Sequence, residues 1–212
     1  MSARRPIYLF GAGGHARVVF DVLERAALFQ VTVVLDDGAV PGQQFFGIPV
    51  QPPGGDMGDL RERRVTAGIV AIGDNRNRER AARAMAAAGF DFVTAVDPSA
   101  RIGRDVSIGA GSMVMPGAVV NIGARIGEHT IINTSASVDH DCELGCFVHV
   151  APGAHLGGHC KMADGSMLGI GASVVPGARI GVGATVGAGA AVVRDIPDHV
   201  TAVGVPARPV TR

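Results

Sequence analysis

The chain has 212 residues, 47% of them hydrophobic, and its 19 basic residues balance 19 acidic ones. This length fits one large domain or two small ones, and the balanced charge argues against nucleic-acid or anionic-membrane partners. No segment approaches the roughly 20 apolar residues of a membrane span. The apolar run in the opening MSARRPIYLF is shorter than the one a signal peptide needs. Three cysteines without paired spacing are typical of a reducing compartment, so we expect a cytoplasmic protein.

The first half of the chain alternates short apolar strands with amphipathic helices. We predict strands at residues 7–10, 31–35, 45–50, 69–72 and 92–96, and helices at 16–27 and within 73–90. This alternation predicts a parallel sheet, but about 95 residues are too few for the two halves of a full dinucleotide-binding fold. Residues 1–95 are therefore predicted to form a Rossmann-like α/β half-domain.

A glycine turn joins the first strand to the first helix in LFGAGGHARVVFDVLE. Gly11, Gly13 and Ala16 fit the pattern G-x-G-x-x-A, and Gly14 extends the turn. Free N–H groups at the helix start would suit a pyrophosphate, and Asp36 at the end of the second strand could bond a ribose or base. The alternative is a tight strand-to-helix turn without a ligand. Because nothing later resembles a hydride-transfer domain, one nucleoside diphosphate fits better than a dinucleotide.

From Val96 onward an aliphatic residue recurs at every sixth position, seventeen times without a gap, and a small or aliphatic residue stands four places later. This regularity predicts a parallel β-helix in which three hexads close a triangular coil of eighteen residues, giving nearly six coils. Residues 96–212 are predicted to form this prism and a C-terminal tail. The aliphatic positions are Val96, Ile102, Ile108, Val114, Val120, Ile126, Ile132, Val138, Leu144, Val150, Leu156, Met162, Leu168, Val174, Ile180, Val186 and Val192.

The two halves together resemble one family, the bacterial nucleotide-sugar N-acetyltransferases and sialic acid O-acetyltransferases. The segments that carry this resemblance are GAGGHARVV, AIGDNRNR, NTSASVDHDCELGCFVHVAPGAHLGG and the tail VTAVGVPARPV. The resemblance implies a left-handed β-helix, a homotrimer, and acetyl-CoA bound in a cleft between neighbouring prisms without a metal. It also implies that the N-terminal unit holds the nucleotide of an amino-sugar acceptor.

Acetyl transfer to an amine needs a proton acceptor with a pKa near 7, which favours histidine. His140 stands at an outward place of its hexad between Asp139 and Asp141. The resemblance makes His140 the catalytic base and Asp141 its carboxylate partner, and we expect Asp139 to bind substrate. The alternative is a solvated histidine between two acids. Cys142 and Cys160 take inward positions, which argues against an acyl-enzyme and favours direct attack.

Candidate cofactor residues follow His140 along the prism. Gly158 lies eighteen residues after His140, at the same position of the next coil. The resemblance implies that its backbone amide binds the thioester carbonyl. It also puts His149 beside the acetyl group or cofactor, and we expect Gly171 and Ala188 to line the acetyl-CoA cleft. An ordinary turn glycine is the alternative for Gly158.

Four further polar residues are candidates for acceptor binding. The resemblance puts His15 near the sugar and Asn133 near the acceptor, although His15 could only cap its helix and Asn133 could belong to an asparagine ladder. Asn75 and Arg78, in GDNRNR, could contact the nucleotide or simply begin a solvated helix.

The resulting prediction is an acetyl-CoA-dependent N-acetyltransferase acting on a nucleotide-linked amino sugar, such as a 4-amino-4,6-dideoxy sugar for surface polysaccharide. Three alternatives stay open at this point. One is sugar O-acetylation of the sialic acid type. Another is a zinc hydratase of the γ-carbonic anhydrase type, which needs three histidine ligands. The spacing between His149 and His155 differs from the spacing of the histidine ligands in that family. The third is a non-catalytic β-helix scaffold.

Overall fold

In the computed structural model, which describes residues 4–54, 60 and 62–210, the N-terminal unit is an α/β sandwich. Its elements are β1 (Arg5–Phe10), α1 (Gly14–Ala26), β2 (Phe29–Leu35), β3 (Gln44–Phe45), β4 (Ile48–Gln51), β5 (Ala67–Val70), α2 (Asn75–Ala87) and β6 (Asp91–Phe92). The sheet has the order β3-β4-β2-β1-β5-β6, and all neighbours are parallel except the β3–β4 hairpin. This confirms the predicted parallel half-domain.

Central strand β1 sends alternate side chains to the two faces of the sheet. Ile7 and Leu9 pack with the buried stripe of α1 on one face, and Tyr8 and Phe10 pack with that of α2 on the other. Gly68 on β5 is required beside them, because a Cβ there would lie 2.3 Å from Tyr8. The predicted single strand at 45–50 is instead a tight hairpin.

Helix α2 begins at a side-chain cap, since the carboxylate of Asp74 accepts a hydrogen bond of 2.8 Å from the amide of Asn77. Helix α1 starts at Gly14, two residues before the predicted start, and its N-cap Gly13 makes no side-chain bond. The first amides of α1 therefore stay available to a ligand. No helix among the described residues is long and apolar enough to cross a bilayer.

The second half is a triangular prism of two-residue strands, each ending on a predicted hexad aliphatic. Every third strand pairs in parallel, so three strands close one coil, as predicted. The strands are β7 (Ala95–Val96), β8 (Arg101–Ile102), β9 (Ser107–Ile108), β10 (Met113–Val114), β11 (Val119–Val120), β12 (Arg125–Ile126), β13 (Ile131–Ile132), β14 (Ser137–Val138), β15 (Glu143–Leu144), β16 (His149–Val150), β17 (His155–Leu156), β18 (Lys161–Met162), β19 (Met167–Leu168), β20 (Ser173–Val174), β21 (Arg179–Ile180), β22 (Thr185–Val186) and β23 (Ala191–Val192), followed by β24 (Thr201–Val203) and β25 (Arg208–Pro209).

The three faces of the prism differ in what their outward side chains meet. The α/β unit packs on the face of β7, β10, β13, β16, β19 and β22, called here the covered face; α1 contacts β7, and Met113 and Ile131 join the core of the α/β unit. Strands β8, β11, β14, β17, β20 and β23 form the open face, and β9, β12, β15, β18 and β21 form the charged face.

Inside the prism, the aliphatic and small positions of the hexads form one continuous core. Cys142 and Cys160 are fully buried in it, which confirms their prediction as small core residues. Ile102 is the exception, 40% exposed, because its coil is the first and no complete coil lies beyond it.

Each prism corner needs one left-handed residue, at every sixth position from 105 to 189. Nine of these fifteen positions are glycine, and the other six are Asp105, His129, Ser135, Asp141, Phe147 and His159. Left-handed backbone disfavours a Cβ, so glycine is the residue expected there. The six side chains depart from that rule, and the sequence analysis did not predict this set of positions.

The chain passes from one unit to the other between β6 and β7. The expected strand at 92–96 is two short strands, because β6 pairs with β5 while β7 pairs with β10. The division of the chain at residue 95 stays a prediction. A short ion pair of 2.7 Å between Arg25 and the buried Asp97 joins the two units at this point.

Candidate active site

His140 occupies the corner between β14 on the open face and β15 on the charged face. Its side chain is 46% exposed, and Nδ1 lies 2.9 Å from Oδ2 of Asp141. Because an ionised carboxylate only accepts hydrogen bonds, Nδ1 carries the proton and Nε2 keeps a free lone pair. The bond to Asp141 is the main cause of a raised His140 pKa, since it favours the imidazolium. This pair has the chemistry of a general base.

The neighbouring coil provides the floor beneath the His140 ring. A Cβ on Gly158 would lie 2.5 Å from Cε1 and Nε2 of His140, so only glycine lets the ring lie this close. In the described part of the chain, no group accepts a hydrogen bond from the Gly158 amide. That amide is a hydrogen-bond donor, without a partner among the described residues, in the coil next to the base.

Asp139 fixes the backbone of the same corner. Its Oδ1 accepts hydrogen bonds of 2.8 Å from the side-chain amide of Asn121 and from the backbone amide of His140. These bonds lower the pKa of Asp139, which keeps the carboxylate charged. Its predicted substrate contact stays a prediction; the structure gives it a positioning role.

The glycine turn lies at the mouth of a cavity of about 380 Å³ in the α/β unit. Gly11 has φ +112°, and a Cβ there would lie 2.9 Å from the carbonyl oxygen of Ala71, whereas the space around Gly13 and Gly14 is open. The cavity also includes His15, and its wall contains the start of α1. This arrangement suits an anionic group.

Asp36 braces this turn from the end of β2. Its Oδ2 accepts from the amide of Ala12 at 2.7 Å and its Oδ1 accepts from the amide of Gly38 at 2.8 Å. A ribose would have to share these oxygens. The side chains of Asp37 and Arg80 pair at 2.9 Å and line the same cavity. Neither was predicted from the sequence as a site residue, although the two successive aspartates after β2 were an available signal.

Arg78 is fully buried between the two units, so its expected nucleotide contact is wrong. Its guanidinium makes six hydrogen bonds, five to backbone carbonyl oxygens and one to the side-chain oxygen of Asn75. Burial lowers the Arg78 pKa to about 10, so the cation persists at neutral pH. The carbonyls belong to both units: Ile72, Gly73, His129, Phe147 and Val148.

Asn75 also connects the units. Its Nδ2 donates to the carbonyl oxygens of Gly165 at 3.0 Å and Ser166 at 3.1 Å. Asn75 lines a larger cleft, of about 980 Å³, between α2 and the prism, and it does not line the cavity of the glycine turn. Its predicted contact with the nucleotide stays a prediction. That cleft contains neither His140 nor the glycine turn, so we do not assign the chemistry to it.

His149 points outward from the prism but is buried under the α/β unit. Nδ1 donates to the carbonyl oxygen of Gly73 at 3.1 Å, and Nε2 lies 3.0 Å from Nδ2 of Asn133. Burial, with the Arg78 charge, lowers the His149 pKa to about 4, so the ring is neutral. Both nitrogens are engaged within the chain, and the predicted place of His149 beside the acetyl group or cofactor stays a prediction.

His15 stands next to His149, with ring centroids 6.3 Å apart. Its Nε2 is buried and has no hydrogen-bond partner in the described chain. Burial lowers the His15 pKa to about 4. His15 does not cap α1, and it lines the glycine-turn cavity; its predicted place near the sugar stays a prediction.

Comparison with known proteins extends over both units. Residues 6–85 match the family described as the PglD N-terminal domain. Perosamine N-acetyltransferase from Caulobacter crescentus, solved with CoA and GDP-perosamine, is 40% identical, with a TM-score of 0.93 over 98% of this chain and 97% of that one. The acetyltransferase domain of PglB from Neisseria gonorrhoeae FA1090 is 38% identical, with a TM-score of 0.85 over 98% of this chain and 100% of that one.

The chain belongs to the nucleotide-sugar N-acetyltransferases of the left-handed β-helix type. WeeI from Acinetobacter baumannii AYE is a further similar structure, 28% identical with a TM-score of 0.86 over 96% of this chain and 99% of that one.

Membership of this family of acetyltransferases confirms the left-handed prism and the acetyl-CoA-dependent enzyme predicted from the sequence. It contradicts the alternatives of a non-catalytic scaffold and of a zinc hydratase. Residues 140 and 158 occupy one corner of the prism of this acetyltransferase, whereas Gly171 and Ala188 occupy another. Both of these are exposed and lie between the covered and open faces. A single chain therefore does not bring all the candidate cofactor residues together.

Proposed function

We propose that this protein transfers the acetyl group of acetyl-CoA to the 4-amino group of a 4,6-dideoxy sugar on a nucleoside diphosphate, with His140 as general base. The observation that carries the proposal is the exposed His140–Asp141 pair resting on Gly158. The relative from Caulobacter crescentus, solved with CoA and GDP-perosamine, supports this class of acceptor.

The base acts on the attacking nitrogen. The amine attacks the thioester carbonyl carbon, and Nε2 of His140 removes one of its protons while Asp141 stabilises the imidazolium. The oxyanion of the tetrahedral intermediate accepts a hydrogen bond from the Gly158 amide. Collapse breaks the carbon–sulfur bond, the thiolate leaves, and the imidazolium returns the proton to it. The products are an amide and CoA.

The acceptor enters from the α/β unit. The turn of Gly11, Gly13 and Gly14 binds the diphosphate at the start of α1, Asp36 orders the turn and approaches the ribose, and His15 meets the sugar. Asn133 and His149 connect this cavity to the prism, because Asn133 holds His149 and His149 holds the Gly73 carbonyl. Asp139 holds His140 in place at the acceptor.

The acetyl donor lies along the open face, and a homotrimer completes its site. Gly171 and Ala188 line one edge of that face and His140 the other edge, so one acetyl-CoA meets both sets only if two chains contribute. Four of the six outward side chains on the strands of the open face are small, which suits close packing of prisms: Val119, Ser137, Ser173 and Ala191, beside Arg101 and His155.

The division into a nucleotide-sugar unit (1–95) and an acetyl-CoA unit (96–212) follows from this assignment. Within these two ranges, residues 1–3, 55–59, 61 and 211–212 lie outside the described residues. The three cysteines of the chain are free thiols, which suits the reducing cytoplasm, where acetyl-CoA is available.

Product analysis by mass spectrometry tests the function. Acetyl-CoA is supplied with GDP-, UDP- or dTDP-linked 4-amino-4,6-dideoxy sugars, or with free sialic acid. One nucleotide sugar is expected to gain an acetyl group as an amide stable to mild base, and the matching 4-hydroxy nucleotide sugar to stay unmodified. Faster acetylation of sialic acid, as a base-labile ester, would contradict the proposal.

A further inference from the structure

Two imidazoles flank one carboxylate at the His140 corner. Oδ2 of Asp141 lies 2.9 Å from Nδ1 of His140 and 3.9 Å from Nε2 of His159. The two rings meet edge to face, with centroids 5.0 Å apart. One ligand atom from each of the three residues lies within 4.8 Å of the others, and within residues 4–54, 60 and 62–210 no second group of this kind occurs.

His159 has a left-handed backbone conformation, which disfavours residues with a side chain. It has φ 58° and Asp141 has φ 56°, at corner positions that are mostly glycine in this prism. The acetyl-transfer chemistry proposed above uses no group on His159. Its imidazole nevertheless lies beside the carboxylate that holds the base, and its side chain is 66% exposed.

The donor set fits a borderline transition metal. Two imidazole nitrogens and one carboxylate oxygen, with water as a fourth ligand, are usual for tetrahedral Zn²⁺. Bonds of about 2.0–2.2 Å put neighbouring ligand atoms about 3.3–3.6 Å apart, and the observed 2.9 Å and 3.9 Å lie on either side of that range. Mg²⁺ and Ca²⁺ prefer oxygen ligands, so they do not fit this set.

We propose that His140, Asp141 and His159 form an inhibitory site for Zn²⁺ and similar ions. The ion takes the lone pair of Nδ1 of His140, and the proton that Nδ1 shared with Asp141 moves to Nε2, so Nε2 no longer accepts a proton from the amine. The inhibition rests on the proposed function of His140, whereas metal binding does not.

Direct binding is measured first, on the full chain without an affinity tag. Zn²⁺ alone is titrated in competition with a chromophoric zinc indicator, and Co²⁺ is added separately to record the absorption of tetrahedral cobalt. We expect one ion per chain, and His159→Asn to weaken binding at least tenfold. Asparagine is chosen because it tolerates left-handed backbone. The control is His155→Asn, an exposed histidine bonded to Ser137, which should change binding less than twofold.

Activity is measured next by mass spectrometry of the amide product, because Zn²⁺ also binds the thiol of CoA. Zn²⁺ should inhibit, EDTA should restore the rate, and His159→Asn should keep the basal rate while requiring at least tenfold more Zn²⁺ for half inhibition. The inference would be overturned if His159→Asn left the zinc affinity unchanged, or if saturating Zn²⁺ left the rate of acetyl transfer unchanged. Zinc binding as described in a chain that acetylates no amino sugar would instead overturn the proposed function.

Discussion

Replacing Arg78 by alanine removes the cation that joins the α/β unit to the prism. The substitution deletes six hydrogen bonds and leaves five carbonyl oxygens of both units without this donor. Hydrogen bonds to charged groups each contribute about 1.5–3 kcal/mol, and buried networks are not additive. Loss of one side of a buried charged network costs about 3–5 kcal/mol, so we expect Arg78→Ala to lower the unfolding free energy by about 4 kcal/mol.

Differential scanning calorimetry measures this loss. For a chain of this size each kcal/mol shifts Tm by about 2–4 °C, so Arg78→Ala should lower Tm by about 8–16 °C. The matched control is Arg83→Ala on the same helix, where the exposed arginine pairs with Glu79. That substitution should cost less than about 0.5 kcal/mol. If the two variants melt within 2 °C of each other, the account of Arg78 as a clamp is refuted.

Three further predictions concern the two sites. Asp141→Asn should lower the His140 pKa, because the bond to the carboxylate is the main cause of its rise, and the acid limb of kcat/KM against pH should move to lower pH. Gly158→Ala should lower kcat about 100-fold or more, since the new Cβ would lie 2.5 Å from the His140 ring. As a control, adding Gly158→Ala to a His140→Ala variant should leave the Tm of that variant unchanged. Burial lowers the pKa values of His15 and His149 to about 4 in the folded chain, so as the pH falls below about 6.5 the unfolded chain binds protons before the folded chain does. The unfolding free energy should therefore be unaffected by these histidines above about pH 6.5, and should fall by about 1.4 kcal/mol per pH unit for each of them toward pH 4. A Tm independent of pH over that range would contradict this.

The prism could be predicted almost completely from the sequence because one constraint repeats in every coil. An aliphatic residue at each sixth place fixes both the strand and its inward direction, and the eighteen-residue coil brings Gly158 next to His140 by simple arithmetic. The left-handed corners were missed because side chains occupy six of the fifteen positions. Glycine alone is therefore an incomplete marker of this turn.

The joint between the units could not be predicted in the same way. Arg78, Asn75 and His149 were expected at ligands, but docking of the α/β unit on the covered face buries Arg78 and His149 and turns Asn75 toward the prism. No periodicity encodes which face is covered. A signal did exist: the outward residues of that face include Met113 and Ile131, whereas the charged face carries residues such as Arg125, Glu143, Lys161 and Arg179.

The central claim is that the exposed imidazole of His140 removes the proton from the acceptor amine. The most direct test is kcat/KM for acetyl transfer to the accepted nucleotide amino sugar, compared between His140→Asn and His159→Asn, which changes the neighbouring histidine of the same corner. The account predicts a loss of about 10²–10⁴-fold for His140→Asn at unchanged Tm, and a loss below about threefold for His159→Asn. A His140→Asn enzyme within tenfold of the unsubstituted protein would contradict it.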